Sequence, residues 1–386
     1  MKILVNAMPL LMPLTGIGQY IRSLFTAMDT MPGADIRMYY GLRCEKGVRP
    51  MVSASAQKVT GTLRVLQNLI PQSRTLRRMA EKALFAHHTR SSVEQTLYHE
   101  PSYMPLPYNG PQVVTVCDMS CFDMPQTHPK ERVEQMQRNL PAAMAKADHI
   151  IVISEATSNA LQRWCNVDKS RITNTYLAAD PRFQPLTPDD LTLPLASLGL
   201  TTQAYVLCVG TLEPRKNLTT LFIAYSGLPQ ALRQRYPLVV AGMSGWKTEA
   251  LFKSAEDLIR RNELRLLGYV SDALIPSLYA GAAAFCYPSR YEGFGLPALE
   301  AMASGVPVIT SNQTSLPEVV GDAGLMFDPD DVDSLREELQ RLLEDRVFAD
   351  LLGQRGLARS KIFSWERCAR ETFAVYEKVM LQRGGT

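Results

Sequence analysis

Short apolar runs alternate with segments of helical spacing along nearly the whole chain. In the first half, KILVNA (2–7), IRMYYG (36–41), VVTVCD (113–118) and IIVIS (150–154) are β-branched or aromatic stretches of strand length. Residues 18–30, 131–146 and 155–164 repeat apolar side chains at three- and four-residue intervals and predict helices. The second half repeats the alternation. Its predicted strands are YVLCVG (205–210), PLVVAG (237–242), LRLLGY (264–269), AAAFCYPS (282–289) and VPVIT (306–310). Its predicted helices cover 217–227, 248–261, 273–280, 297–304 and 331–344. Strands with so few polar positions have no wetted face, so they belong to parallel sheets covered by helices on both sides.

A length of 386 residues exceeds one ordinary domain and predicts two. The stretch 181–203 is rich in Pro, Thr and Leu and has no long periodic element. It divides the chain into a domain at 1–183, a linker at 184–203 and a domain at 204–364. The amphipathic tail 365–386 is expected to return and pack on the first domain. Two consecutive open sheets place ligands in the crevice at the carboxyl ends of their strands.

Composition excludes several classes. With 46% hydrophobic and 20% charged residues the chain is an ordinary globular protein, and its net charge of +3 does not mark a nucleic-acid binder. Its seven cysteines are scattered without a C-x-x-C pair, a usage expected of a reduced, cytoplasmic protein. The opening MKILVNAMPLLMPLTG is interrupted by Asn6, Pro9 and Pro13 and reads as a first strand rather than a signal peptide. No run approaches the 18 or so apolar residues that a membrane span needs.

Two segments carry chemistry. In YEGFGLPALEAMASGVPVITS (291–311), Glu292 and Glu300 flank a loop that turns into a helix through Gly293, Gly295 and Pro297. Glycines let backbone N–H groups approach a ligand, and a helix start offers unpaired donors at the positive end of its dipole. Such a site suits a diphosphate between two carboxylates that accept sugar hydroxyls. In GTLEPRKNL (210–218), Arg215 and Lys216 sit at a strand-to-helix turn, where charge-assisted bonds to phosphate would be worth about 1.5–3 kcal/mol each. The G-x-G-x-x-A pattern at 293–298 lacks the ribose-binding acid of a dinucleotide fold, since Ser311, Asn312 and Gln313 follow the next strand. Asp331-Val332-Asp333 opens a helical pattern, where acids favour the dipole, and no metal site is predicted.

These motifs, with SLPEVVGDAGLMFDPDDVDSL (315–335), resemble the retaining glycosyltransferases of family 4. The resemblance is strong over about 205–335 and weaker before it. It implies the GT-B arrangement, two Rossmann-like domains facing each other across a cleft, and transfer of a hexose from a nucleotide sugar without metal. By the same resemblance Glu292 contacts the donor sugar, Glu300 the ribose, and Lys216 with Arg215 the diphosphate beside the backbone of Gly293, Phe294, Gly295 and Leu296. Tyr269 and Val270 then line the base. LTGIGQYI (14–21) is similar to the family's Gly-rich loop, with the amides of Gly16 and Gly18 facing the cleft. VVTVCDMSCFDMP (113–125) resembles a strand end that in the family often reads Thr-Val-His-Asp. The His position is Cys117 here, which leaves Asp118 as the expected polar group from this domain.

GTLEPRKN, YPSRYEGFGLP and SNQTSLPEV are similar to segments of bacterial mannosyltransferases of polysaccharide and O-antigen assembly. That likeness implies GDP-mannose as donor and a glycan or polyprenyl-diphosphate-linked acceptor. A rhamnosyl, glucosyl or N-acetylhexosaminyl donor stays open, and Cys117 leaves open a nucleotide-sugar-binding protein without catalysis. Residues 58–90 carry Arg64, Arg74, Arg77, Arg78, Lys82 and Arg90 among apolar positions against Glu81 alone. They fit either a solvated helix on the first domain or peripheral contact with the anionic cytoplasmic face of an inner membrane.

Overall fold

The computed structural model describes residues 1–11, 16–41, 43–48, 83–86, 89 and 93–384. Most of the basic segment 58–90 lies outside them, so its expected membrane contact rests on sequence alone. Among the described residues no helix is long and apolar enough to cross a membrane.

Strands β1 (Lys2–Asn6), β2 (Asp35–Tyr39), β3 (Cys44–Lys46), β4 (Thr96–Glu100), β5 (Gln112–Val116), β6 (His149–Val152) and β7 (Ile172–Asn174) build one sheet in the order β3-β2-β1-β4-β5-β6-β7. Only the edge strand β3 runs antiparallel among these described strands. Strands β8 (Val206–Val209), β9 (Leu238–Ala241), β10 (Leu264–Gly268), β11 (Ala284–Tyr287), β12 (Val308–Ser311) and β13 (Leu325–Phe327) build the second sheet, ordered β10-β9-β8-β11-β12-β13 and parallel throughout. Each sheet reverses its winding once, between β1 and β4 and between β8 and β11. Such switch points open a crevice at the strands' carboxyl ends. β5, β6, β9, β11 and β12 are buried at every residue, as strands covered on both faces must be.

The stretch expected to be an aperiodic linker contains a ten-residue helix, Pro188–Ser197. Its start signals are present: the Thr187 hydroxyl accepts from the Asp190 N–H, Pro188 opens the helix, and Asp189 and Asp190 occupy the first turn. Leu191 and Leu195, one turn apart, join the core under the second sheet. Prolines at both ends of the segment disguise that spacing. β4, β7 and β13 also escaped prediction, because TLYHE, ITN and LMF are too short or too polar to read as buried runs.

The C-terminal helix, Trp365–Gly384, packs on the helix Gly16–Met28 of the first domain. Tyr376 Oη lies 2.6 Å from His99 Nδ1, and His99 Nε2 lies 2.8 Å from Thr115 Oγ1. Burial drives the His99 imidazole down to about 3, so this bond is made by a neutral ring. A second joint between the domains is a helix cap supplied from outside the helix. The Glu318 carboxylate accepts the backbone N–H groups of Glu155 and Ala156 at 2.8 Å each, at the start of the helix Glu155–Cys165. Ser154, expected as that helix's own N-cap, accepts from Thr157. The rings of Tyr176, Phe294 and Phe363 add a triad with centroids 5.7–6.0 Å apart.

A carboxylate that satisfies two orphan donors at a helix start is worth about 1–2 kcal/mol. Glu318→Ala is therefore expected to lower the melting temperature by about 2–6 °C. Differential scanning calorimetry checks this, and an unchanged transition would mean that the cap does not couple the domains.

Candidate active site

The turn after β8 begins the site. Leu212 bridges to Ser244 beside it, a short 3₁₀ turn covers Pro214–Lys216, and Asn217 takes the left-handed conformation (φ 55°) that starts the helix Leu218–Ser226. Asn217 is fixed there because its side-chain amide donates to Pro329 O and accepts from Thr220 Oγ1. This turn sends Arg215 and Lys216 under the end of the neighbouring strand β11. Lys216 is buried and its Nζ donates to Tyr287 Oη and to Glu292 Oε1, both at 2.6 Å. Arg215 donates through Nε to Glu213 Oε1 at 2.6 Å, and through Nη1 to Tyr291 O at 2.9 Å and Glu292 Oε2 at 3.4 Å.

Hydrogen-bond capacity is left over. Among the described residues, Lys216 uses two of its three ammonium protons, and the Nη2 amino group of Arg215 uses none. These are the donors available to an anion.

Glu292 sits in a loop braced from β12's far side. Ser289 Oγ donates to its carboxylate, Thr314 Oγ1 accepts its N–H at 3.0 Å, and the Ser315 hydroxyl lies 2.9 and 2.8 Å from the carbonyls of Glu292 and Phe294. Burial pushes this carboxyl up, but Lys216 and Arg215 outweigh burial and hold it below its ordinary value. Two glycines shape the backbone between this loop and the next helix. A Cβ on Gly293 would stand 1.9 Å from Cys117 O of the opposite domain, so the two strand ends meet in backbone contact. Gly295 adopts φ 113° as the N-cap of the helix Leu296–Ala303, whose start no side chain caps.

Asp118 approaches from the first domain. It lies at the end of β5, where its Oδ1 accepts the N–H and the hydroxyl of Ser120 at 2.9 and 2.7 Å. Burial alone would raise it, yet Arg215 and those two hydrogen bonds keep it ionised below its ordinary value. Cys117 beside it is a buried thiol pushed far above its ordinary value by burial, and it is unsuited to act as a thiolate.

Glu213, Arg215, Lys216, Tyr287, Glu292, Gly293, Gly295, Cys117 and Asp118 border one cavity of about 570 Å³ between the sheets. Of the expected site residues, Glu292, Lys216, Arg215, Asp118, Gly16, Gly293, Phe294, Gly295, Leu296, Glu300, Tyr269 and Val270 line it. Gly18 does not. The helix begins at Gly16, two residues before its predicted start, which puts Gly18 inside the first turn with its backbone buried. Phe294 contributes mainly by anchoring its loop in the core of the first domain. Tyr269 is 63% exposed at the cavity's rim. Glu300 faces the far end, where burial lifts its carboxyl to about 8 against the opposing effect of the Tyr279 hydroxyl. A hollow of about 690 Å³ lined by residues 337–347 is larger, but it lies between surface helices with no buried polar group converging on it. Asp331 caps its helix by accepting the Ser334 N–H, and Asp333 pairs with Arg336 at 2.8 Å.

Arg182, Tyr287, His128, Arg132 and Trp246 also line the cavity and were not anticipated. Tyr287 was findable, since it ends a predicted strand at the ligand-bearing edge. His128 and Trp246 carry no local signal, because only the fold brings one against the other (ring centroids 5.8 Å).

The family model described as glycosyl transferases group 1 matches residues 196–359. Over 387 aligned residues the chain is 37% identical to the O-antigen chain mannosyltransferase B of Escherichia coli, covering 98% of this chain and 100% of that protein. It is 32% identical over 289 residues to the serotype-specific mannosyltransferase WbdA of Escherichia coli, an alignment spanning 70% of this chain and 34% of that protein. Among solved structures, sucrose-phosphate synthase from Thermosynechococcus elongatus shares the fold with a TM-score of 0.74 at 20% identity, covering 99% of each chain. Anabaena HepE in complex with UDP-glucose does so with a TM-score of 0.72 at 16% identity, covering 98% of this chain and 100% of that one. The two facing Rossmann-like sheets are thus the GT-B fold, and with a 37% identical relative matched along its whole length the chain belongs to the glycosyl transferases group 1 family.

Proposed function

We propose that this glycosyltransferase moves a mannosyl unit from GDP-mannose to a hydroxyl of a glycan or polyprenyl-diphosphate-linked oligosaccharide in surface polysaccharide assembly. One observation carries the reading of the site: the spare donors of Lys216 and Arg215, the uncapped helix start at Gly295 and the carboxyls of Glu292 and Glu300 border a single cavity. The choice of mannose is supported by the mannosyltransferases to which the chain is similar.

In this reading the diphosphate lies between Lys216, Arg215 and the helix start, and these donors stabilise the charge that develops as the nucleotide leaves. Two fixed cations at the leaving group supply what a divalent ion would otherwise supply, hence the proposed metal independence. Glu292 orients the donor sugar. Its lone pairs are engaged by Lys216 and Ser289, which makes it a poor nucleophile. That favours retention by attack on the face the diphosphate leaves, with a phosphate oxygen taking the acceptor's proton. Closure of the domains, seen in the Gly293–Cys117 contact, keeps water from the donor.

Lys216→Ala is expected to lower kcat/KM by about a hundredfold or more. It should also largely abolish the thermal stabilisation of about 2.7 kcal/mol that GDP-mannose gives at 100 times its dissociation constant. A variant melting with GDP-mannose as the wild type does would remove Lys216 from the phosphate site.

Glu300 makes donor affinity depend on pH. With its carboxyl raised to about 8 in the empty site, it is mostly protonated at neutral pH, whereas the carboxylate is the form that accepts two ribose hydroxyls. Raising pH through 8 therefore increases the competent fraction, and the dissociation constant should fall about 25-fold between pH 6.5 and 8.5. The diphosphate diester does not titrate there. Isothermal titration in wild type and Glu300→Gln checks this, the variant giving a flat profile; a flat wild-type profile would remove Glu300 from the ribose.

The basic segment 58–90 supports peripheral contact with an anionic membrane, each basic side chain near the surface being worth about 1 kcal/mol. Liposomes with a third phosphatidylglycerol should retain the protein at low salt and release it at high salt. Equal retention by neutral liposomes would refute an electrostatic contact.

A further inference from the structure

His128 is buried (3% exposed), lies at the edge of the cavity, and takes no part in the contacts around Glu292. Its position depends on Asp118. The ionised Asp118 carboxylate can only accept, so the Ser120 hydroxyl, 2.7 Å from Oδ1, spends its single proton there. Ser120 Oγ can then only accept from His128 Nε2, 2.9 Å away. That places the imidazole proton on Nε2 and leaves Nδ1 a bare lone pair. Nδ1 is buried and finds no donor among the described residues.

An acceptor left without a donor destabilises the fold, and this one belongs to a residue that lines a sugar-sized cavity. Its surroundings hold it still. Trp246, from the loop after β9 in the opposite domain, donates from Nε1 to Thr127 O at 2.6 Å and packs at a tilt of 35° against the His128 ring, while Arg132 lies 5.9 Å over the indole. Burial first, then Arg132, lower the imidazole to about 4 against the pull of Asp118, with Arg215 and Lys247 adding to the lowering. The ring stays neutral. The order Asp–Ser–His also excludes a serine nucleophile, because Ser120 hands its proton to Asp118 and not to His128.

We propose that His128 Nδ1 accepts a hydrogen bond from a hydroxyl of the sugar substrate, supplying from the loop 124–129 the polar contact that the buried thiol of Cys117 does not. The inference rests on the glycosyl-transfer reading of this cavity. Ser120 and Asp118 act through His128 as positioning residues, by fixing its tautomer.

Imidazole ¹⁵N spectra of the full-length protein are expected to show His128 protonated at Nε2 only, with the bare Nδ1 signal shifting on addition of GDP-mannose or an alkyl mannoside. An Nδ1–H tautomer, or an Nδ1 signal that responds to neither, overturns the proposal whether or not the enzyme turns over. In rate assays with the same two compounds, His128→Phe is expected to lose about tenfold to a hundredfold, while His128→Asn, which restores an acceptor near Nδ1, recovers much of it. Loss confined to transfer assigns the hydroxyl to the acceptor; an equal loss in donor hydrolysis by water assigns it to the donor. Full activity of His128→Phe, at an unchanged melting temperature, overturns the proposal. A wild-type enzyme inert with GDP-mannose would instead fail the donor assignment, and the spectra would still decide His128.

Discussion

The buried contact among Glu292, Lys216 and Arg215 holds the site together. Each of the three is costly to take out of water, and each is tolerable only because the others are present. Glu292 answers two cations through its two oxygens, Glu213 takes Nε of Arg215, and Tyr287 takes a further proton of Lys216. Removing one partner of such a pair strands the others and costs about 3–5 kcal/mol, so the cluster fixes the turn after β8 against the loop after β11. Those are the two strands at the winding reversal of the second sheet. The charge cluster and the topology specify the same place, one by electrostatics and the other by where the chain leaves an opening.

That cluster would be ordinary in one domain alone. Gly293 makes it a property of two. The loop that carries Glu292 reaches the opposite domain with no side chain between it and Cys117 O, and Tyr291, one residue before Glu292, donates to Asp123 and accepts from the Met119 N–H. Glu318 and the Tyr176–Phe294–Phe363 triad fasten the same side. Trp246 and Lys247 fasten the other, donating to Thr127 O and Gln126 O. The joints stand on both flanks of the cavity, and they use backbone groups, a helix start, a tyrosine hydroxyl and packed rings. Such contacts are less sensitive to salt than surface charges would be.

The layers of this fold were legible where burial is complete. IIVIS, PLVVAG and AAAFCYPS can be nothing but covered strands, and the Gly and Pro residues after them mark the loops that hold the ligand. β4 was not legible, because His99 and Glu100 within it look like surface residues until Tyr376 and Asn6, from elements distant in the chain, and Tyr98 of the same strand are seen to satisfy them. The helix Pro188–Ser197 was misread since proline density is a loop signal, although Pro188 is acceptable in the first turn and Pro194 is accommodated inside the helix. Within the site, Lys216, Glu292 and Glu300 were readable from motif spacing. His128 was not, because its meaning depends on which atom Asp118 leaves unpaired.

Proton occupancy then divides the cavity along its length. Five carboxyls border it, Asp118, Glu213, Asp272, Glu292 and Glu300, and the fold treats Asp118 and Glu292 differently from Glu300. Asp118 and Glu292 face Arg215 and stay charged, so they organise cations and hydroxyl donors at the centre. Glu300, eight residues along the same segment, sits where burial outweighs its neighbours and holds its proton until a ligand supplies donors. The carboxylate form of Glu300 becomes favourable only once hydrogen-bond donors are present to stabilise it. The spacing of Glu292 and Glu300 along the chain therefore places two identical functional groups in two protonation states within one cavity.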